Sequence, residues 1–377
     1  MSSLKKLNKV KVLYLVLEMD LGGLQKIVSL LIRKIDKEGF IPYLCCLDRA
    51  GLFSEQIISE AGRKYTLNRQ PGPFDIRMFG KLINVINKNR IDIIHSHNGC
   101  SLYAALAGRL CGVRGIIHTD HGRLVPDRKA AIWEDRLASY LMHRVIGVSN
   151  PLTEYLASKV KVRRNKLFTI INGVDSEKFV PISSGEKRSR RREFGVDKSA
   201  KVIGTVCRLD PIKNLRLVID CVPAIMQKIP DFQVVIVGDG PDEKRLKEQV
   251  KMLNMNSKII FLGRIGEVEK VMPILDLYVN TSISEGTSMT ILEAMSCGLP
   301  VVASAVGGNA GLVDSSNGVL FPYDRADLFQ EGVINLLGKK NILENMGKSS
   351  RERVEKEFSF SRVVDQYEIQ YSTLMNN

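Results

Sequence analysis

Two glutamates, two cations and a glycine-rich turn are the residues of this chain best suited to chemistry. Glu285 and Glu293 fall in the run Ser284-Glu285-Gly286-Thr287-Ser288-Met289-Thr290-Ile291-Leu292-Glu293. Gly286 and Thr287 predict a turn and an N-cap that open a helix over 288–296. The first N–H groups of such a helix have no internal partner, and its dipole favours an anion. Amides at Ser288, Met289 and Thr290 can therefore hold a phosphate, with Glu285 at the mouth and Glu293 further along. A carboxylate beside a phosphate is unfavourable unless hydroxyl groups donate to it. Two glutamates flanking one helix start thus point to a ligand with phosphates in the middle and sugars at both ends. A surface glutamate followed by an ordinary helical glutamate gives the same spacing, so this pair needs context.

Upstream lies Cys207-Arg208-Leu209-Asp210-Pro211-Ile212-Lys213-Asn214, directly after the apolar run 201–206. It puts a guanidinium and an ammonium just past a predicted strand. Arg offers a planar fork for diphosphate oxygens and Lys a point charge. The next apolar run, 232–237, ends in Gly238-Asp239-Gly240-Pro241, whose glycines let backbone approach a ligand closely. No Gly-Lys-Ser/Thr follows, so this is not a Walker loop.

A competing constellation is histidine-based. His95-Ser96-His97 and His118-Thr119-Asp120-His121 hold four of the five histidines, both placed after predicted strands. His-x-His with an aspartate can ligate zinc in a hydrolase. The milder alternative is that one of His95 and His97 bonds to backbone in a wall of the site. No Asp-x-Asp pair occurs to hold a divalent ion against a diphosphate. Asp120 orients His118 or His121, or caps a turn. Trp133, the only tryptophan, lies where apolar residues recur at helical spacing and is read as core packing.

The elements that must position these groups come from the hydropathy pattern. The chain has 377 residues, enough for two domains, with 44% hydrophobic and 25% charged residues, an ordinary globular composition. No apolar stretch is long enough to span a bilayer. The run Val10–Leu17 is interrupted by Lys11 and has no small-residue cleavage site, which reads as a buried first strand rather than a signal peptide. Seven cysteines, an odd number with no C-x-x-C, fit reduced core thiols. Residues 1–180 carry 29 Lys+Arg against 16 Asp+Glu, and the remainder 26 against 25, so the excess charge is one-sided. Clusters at Lys5-Lys6, Lys159–Lys166 and Arg188–Arg192 are similar to juxtamembrane basic segments, although each also fits a solvated face. Aromatic content is 6% and no nucleic-acid motif accompanies the charge, so no nucleic-acid partner is expected.

Short apolar runs alternate with helical-period segments from end to end, which means α/β architecture with parallel sheets covered on both faces. Predicted strands in the first half are 10–17, 42–47, 91–95, 115–118, 145–148 and 167–170. Those in the second are 201–206, 232–237, 258–261, 275–280 and 300–303. Residues 181–200 lack an apolar run and are read as a linker and hinge between domains 1–180 and 201–360. The last amphipathic helix, about 361–377, is expected to pack back on the first domain. Ligands of open parallel sheets bind outside the strands' carboxyl ends, where loops and helix starts meet.

Taken in order, Arg208 with Lys213, VGDGP at 237–241, FLG at 261–263, Glu285-x7-Glu293 and CGLPVVAS resemble the large retaining glycosyltransferase family 4. So do Gly22-Gly23, HTDHG at 118–122, VSN at 148–150 and INGVD at 171–175, so that the resemblance runs over nearly the whole chain. It implies the GT-B fold, two facing Rossmann-like domains with a cleft between them. It further implies that Arg208 and Lys213 neutralise a diphosphate leaving group, that Glu293 holds ribose hydroxyls and that Glu285 binds the transferred sugar. Gly22 and Gly23 would present backbone N–H groups to phosphates or acceptor, and His118 would contact the donor sugar. Gly238, Gly240, Gly286, Thr287, Ser288 and Met289 complete the expected donor site.

The implied reaction is metal-independent, retaining transfer of a hexosyl unit from a nucleoside diphosphate sugar, with UDP favoured over GDP on family frequency. No resident cofactor is expected. The acceptor is a saccharide or lipid-linked glycan in cell-surface polysaccharide synthesis, met in the cytoplasm with transient contact to the anionic inner leaflet. A metal hydrolase on His95, His97, His118 and His121, or an epimerase or phosphorylase of the same architecture, stands as the alternative. One departure concerns the Gly307-Gly308 turn, after which relatives show a glutamate near the next helix start and this chain has Asn309-Ala310-Gly311.

Overall fold

The structure, a computed structural model, describes residues 9–20, 22–57, 61–70, 75–123 and 127–376. The chain forms two compact units, Met1–Asn172 with Ser361–Asn377, and Gly173–Phe360. Each is a parallel sheet with helices. The first contains β1 (Val10–Glu18), β2 (Phe40–Arg49), β3 (Arg63–Thr66), β4 (Ile93–His97), β5 (Gly115–Asp120), β6 (Arg144–Gly147) and β7 (Leu167–Thr169), in the order β3-β2-β1-β4-β5-β6-β7. The second contains β8 (Lys201–Val206), β9 (Phe232–Val237), β10 (Ile259–Gly263), β11 (Leu277–Asn280), β12 (Val301–Ser304) and β13 (Gly318–Phe321), in the order β10-β9-β8-β11-β12-β13.

Both orders reverse direction beside the first strand of the unit, between β1 and β4 and between β8 and β11. That is the topological switch point, where helices leave to opposite faces and a crevice opens at the strand ends. The central strands read as unbroken apolar runs because both faces are covered. Val12 to Val16 of β1 and Val234 to Ile236 of β9 are wholly buried.

Three details differ from the sequence expectation. β3 and β13 were not expected: Arg-Lys-Tyr-Thr is largely polar, and Gly-Val-Leu-Phe offers only three apolar residues ahead of a proline; pairing with β2 and β12 makes them strands. β4 and β5 each end two residues later than expected, at His97 and Asp120, so His97 joins His95 and His118 as a strand residue instead of lying in the loop after the strand. The third is the linker. Residues 184–193 form a helix, Ser184–Glu193, within the second unit. Arg191 is buried, and its guanidinium donates to Asp276 Oδ2 at 2.8 Å and to the carbonyls of Ile274 and Ala200. Lys187 donates to Asp276 Oδ1 at 2.6 Å. The segment looked featureless because it is held by charge, not by an apolar stripe. The chain passes between units at 172–173 and 360–361 instead. Inside the second unit a parallel bridge, Val174 to Ser359, ties these two segments together.

Trp133 also departs from expectation, being 65% exposed. Its helix, Lys129–Leu141, buries the small residues Ala138 and Ser139. Trp133 is on the opposite side. The C-terminal helix Phe360–Asn376 places Tyr367 and Tyr371, one turn apart and buried, among the side chains of β1, β4 and β5.

Candidate active site

β8 ends in Val206 and the chain turns through Arg208 into a short 3₁₀ turn, Pro211–Lys213. Asp210 caps that turn by accepting from the Ile212 N–H at 3.3 Å, and Asn214 closes it in the left-handed region at φ 51°. The neighbouring loop after β11 is stitched to it. Ile283 N–H donates to the Ile212 carbonyl at 2.8 Å, and Thr281 Oγ1 donates to the carbonyls of Lys213 and Asn214. The two loops of the switch point thus form one rigid platform.

On it Lys213 Nζ lies 2.6 Å from Glu285 Oε1. The same oxygen accepts from Ser282 Oγ at 2.7 Å and from Asn280 Nδ2 at 3.4 Å. Glu285 is mostly covered, its side chain 13% exposed, while that of Arg208 is 71% exposed beside Asp210. This arrangement answers the electrostatic objection to a carboxylate near a phosphate site. The lysine neutralises Glu285, and Arg208 remains open to solvent as a second cation.

The helix beyond it runs Met289–Ser296 with Ser288, not Thr287, as N-cap; Ser288 Oγ accepts from the Ile291 N–H at 3.4 Å. A cap side chain must reach the N2 or N3 amide, and Thr287 sits one residue too early. Met289 and Thr290 keep first-turn N–H groups with no acceptor inside the helix. Glu293 lies on this helix, 2% exposed.

The glycines act between loops. Gly238 has φ 131°, and a Cβ there would sit 1.9 Å from the Cys207 carbonyl oxygen. A Cβ on Gly240 would sit 2.3 Å from the Leu209 carbonyl oxygen. Leu209 N–H donates to Asp239 at 2.8 Å. The close approach these glycines permit is therefore to the segment carrying Arg208. Gly307, at φ 49°, does the same for Glu285: its Cβ would come 1.7 Å from the Glu285 carbonyl oxygen, and Gly308 N–H donates to Gly286 at 2.8 Å. Asn309 is buried and donates to Asn280 Oδ1 and the Ser304 carbonyl. Asn280 and Ser282 were missed from sequence, unlike Asn309, which the Gly307-Gly308 turn singles out. The polar run Asn280-Thr281-Ser282 directly after an apolar strand was the available signal.

In the first unit Gly22 is the N-cap of the helix Gly23–Lys34 and supplies no side-chain cap. Its φ of −179° is extended backbone open to any residue. His118 is 4% exposed on β5, with Nδ1 3.0 Å from Ser96 Oγ. His95 is a core histidine, bonded through Nδ1 to Tyr371 and through Nε2 to Thr119, both at 2.7 Å. His97 Nδ1 meets His121 Nε2 at 2.9 Å, and His97 Nε2 is buried without a partner. Burial lowers the pKa of all four, that of His121 to about 3. Asp120 caps its turn, accepting from Gly122 N–H and Arg123. Among the described residues no three His, Cys, Asp or Glu side chains converge as metal ligands, so the zinc reading of this cluster finds no geometric support.

A Rossmann-like unit with cations, a neutralised carboxylate and a helix start at its switch point defines a protein built to bind a phosphorylated, hydroxyl-rich ligand. The family model "Glycosyltransferase Family 4" matches residues 21–178, and "Glycosyl transferases group 1" matches residues 186–353. The two together span most of the chain, which belongs to the family 4, group 1 glycosyltransferases. Among its relatives is the Escherichia coli UDP-Gal:alpha-D-GlcNAc-diphosphoundecaprenol alpha-1,3-galactosyltransferase, 28% identical over 98% of both chains. Another is the Bacillus anthracis N-acetyl-alpha-D-glucosaminyl L-malate synthase, 25% identical over 83% of both. The structure of Anabaena Alr3699/HepE in complex with UDP-glucose shares the fold, at TM-score 0.84 and 22% identity over 96% of this chain and 99% of that one. The fold is GT-B.

Proposed function

We propose that this glycosyltransferase moves a hexosyl unit from a UDP-sugar to a lipid-linked glycan, with retention of anomeric configuration and without a metal ion. The observation that carries the reading is the Lys213–Glu285 pair at 2.6 Å with Arg208 beside it on the platform. Lys213 and Arg208 take the diphosphate, and the first-turn amides of Met289 and Thr290 add neutral donors. Glu285, paired with Lys213 and held by Ser282, accepts from hydroxyls of the sugar. Glu293 takes the ribose, whose hydroxyls must reach a carboxylate that is now buried. Gly22, Gly23 and His118 belong to the acceptor-bearing unit, where His118 enters as a neutral imidazole able to hydrogen-bond the sugar.

The leaving diphosphate and the acceptor hydroxyl meet on one face: the bond from C1 to the diphosphate oxygen breaks, that oxygen takes the acceptor proton, and the bond from C1 to the acceptor oxygen forms. No protein nucleophile is required, and catalysis rests on positioning and charge stabilisation. Support for UDP and for a polyprenyl diphosphate acceptor comes from the name of the E. coli relative, which aligns end to end. The test is a thermal-shift panel of UDP, GDP, ADP and their sugars, with and without EDTA, followed by NMR of the product's anomeric proton. Stabilisation by UDP unaffected by chelator, lost in Lys213→Ala, with an α product from an α donor, is the expected outcome. Stabilisation lost on chelation, or an inverted product, would overturn the mechanism.

A further inference from the structure

The helix Lys129–Leu141 presents a stripe that its own unit leaves uncovered. Trp133, Leu137 and Tyr140 are 65%, 57% and 50% exposed. At helical spacing they fall within an arc of about 60° and extend over about 10 Å. Isolated exposed apolar residues need no explanation, but a contiguous aromatic-aliphatic row marks an interaction surface. At the C-terminal end of the helix Arg109 donates to the Leu141 carbonyl.

The row is bordered by cations. The Arg136 guanidinium stacks over Trp133, 4.7 Å from the ring centre, and that of Arg163 lies 5.6 Å from the Tyr140 ring. Arg136 also donates to the carbonyls of Lys159 and Val160, and Lys166 to those of Ser139, Tyr140 and Met142. These bonds fix the 159–166 basic segment against the helix. Residues 128–166 hold nine Lys/Arg and three Asp/Glu, and of those acids Asp135 is paired with Arg123 and Glu154 with Arg164. Apart from Glu134, the charges of this segment that are not in ion pairs are therefore positive.

We infer that this face docks on an anionic lipid surface, with Trp133, Leu137 and Tyr140 entering the headgroup region and Lys159 and Arg163 meeting lipid phosphates. The two features are independent and agree. Trp and Tyr favour a layer that is apolar on one side and wet on the other, and basic side chains with long stems keep their charge at that layer. A second copy of this chain would bring its own positive border against the first, so charge favours the membrane as occupant. The inference goes beyond the proposed reaction and does not depend on it.

The sole tryptophan makes the test direct, because emission from the full-length protein reports Trp133 alone. Vesicles of phosphatidylcholine with phosphatidylglycerol are expected to shift that emission to the blue and to quench it when the acyl chains carry bromine. Pure phosphatidylcholine should do neither, and soluble glycerol phosphate should leave the spectrum unchanged. Leu137→Glu is expected to weaken vesicle cosedimentation about tenfold, and Lys159→Glu with Arg163→Glu to remove its salt dependence. Thermal stabilisation by UDP, read in parallel, should be the same in all variants. An unshifted spectrum on anionic vesicles, equal binding to neutral ones, or a lipid-independent shift that grows with protein concentration would overturn the inference. The last of these would assign the face to self-association.

Discussion

Lys213 Nζ and Glu285 Oε1 lie 2.6 Å apart, although 72 residues separate them in the chain, because Ile283 and Thr281 lash the loop after β11 to the turn after β8. Their charges cancel, and each must find a new or shared partner when a diphosphate sugar binds. A double-mutant cycle checks this coupling. Lys213→Met and Glu285→Gln should each destabilise the fold, and their sum should exceed the double variant by roughly 1–3 kcal/mol. Additive effects would show that the pair is solvated and uncoupled.

Gly307→Ala should lower turnover by more than it lowers affinity for nucleotide. The new Cβ would meet the Glu285 carbonyl at 1.7 Å in a backbone conformation of φ 49°, so the loop bearing Glu285 must move. A stability loss of about 1–3 kcal/mol is expected from strain alone. Steady-state kinetics that show a changed KM with unchanged kcat would count against this placement of Glu285.

Asp276→Asn should loosen the Ser184–Glu193 helix. Asp276 is desolvated, yet Lys187 and Arg191 hold its carboxyl below the usual range, and it also accepts from the Val202 N–H. Removing the charge leaves a buried guanidinium without its counter-ion, at a cost of roughly 3 kcal/mol. Hydrogen exchange should accelerate across 184–193 while β9 stays protected. Uniform protection in the variant would mean that packing, not charge, holds the helix.

Acid should destabilise the first unit before it affects the carboxylates. His95, His97, His118 and His121 are buried and their pKa values lowered, chiefly by desolvation. Above the unfolded value, about 6.5, neither state is charged. As pH falls through that value the unfolded chain takes up protons that the folded chain refuses, so stability falls. For His121 the loss continues down to about 3. Each histidine adds at most about 1.4 kcal/mol per pH unit. Melting temperature should therefore drop between about pH 7 and pH 5, and His97→Gln should flatten the slope. A melting temperature that rises over this interval would refute the burial.

The layered α/β class, most of the strands and the residues of the switch-point loops are legible in the amino-acid pattern alone. Apolar runs buried on both faces and polar residues at strand ends are local patterns that a linear reading captures. It did not reveal β3 or β13, which are strands only because β2 and β12 offer them a ladder. It mistook 181–200 for a linker, since a helix clamped through Arg191 and Lys187 to Asp276 carries no apolar signature. It named Gly238, Gly240, Glu285 and Lys213, yet not that the glycines accommodate a neighbouring loop or that the two charges touch. Those facts depend on segments far apart in the chain. The same holds for Trp133, whose helical spacing suits a core or a surface equally well. Only the packing of Ala138 and Ser139 inward decided that its ring faces out, because a helix has one buried side and the tertiary neighbours choose which.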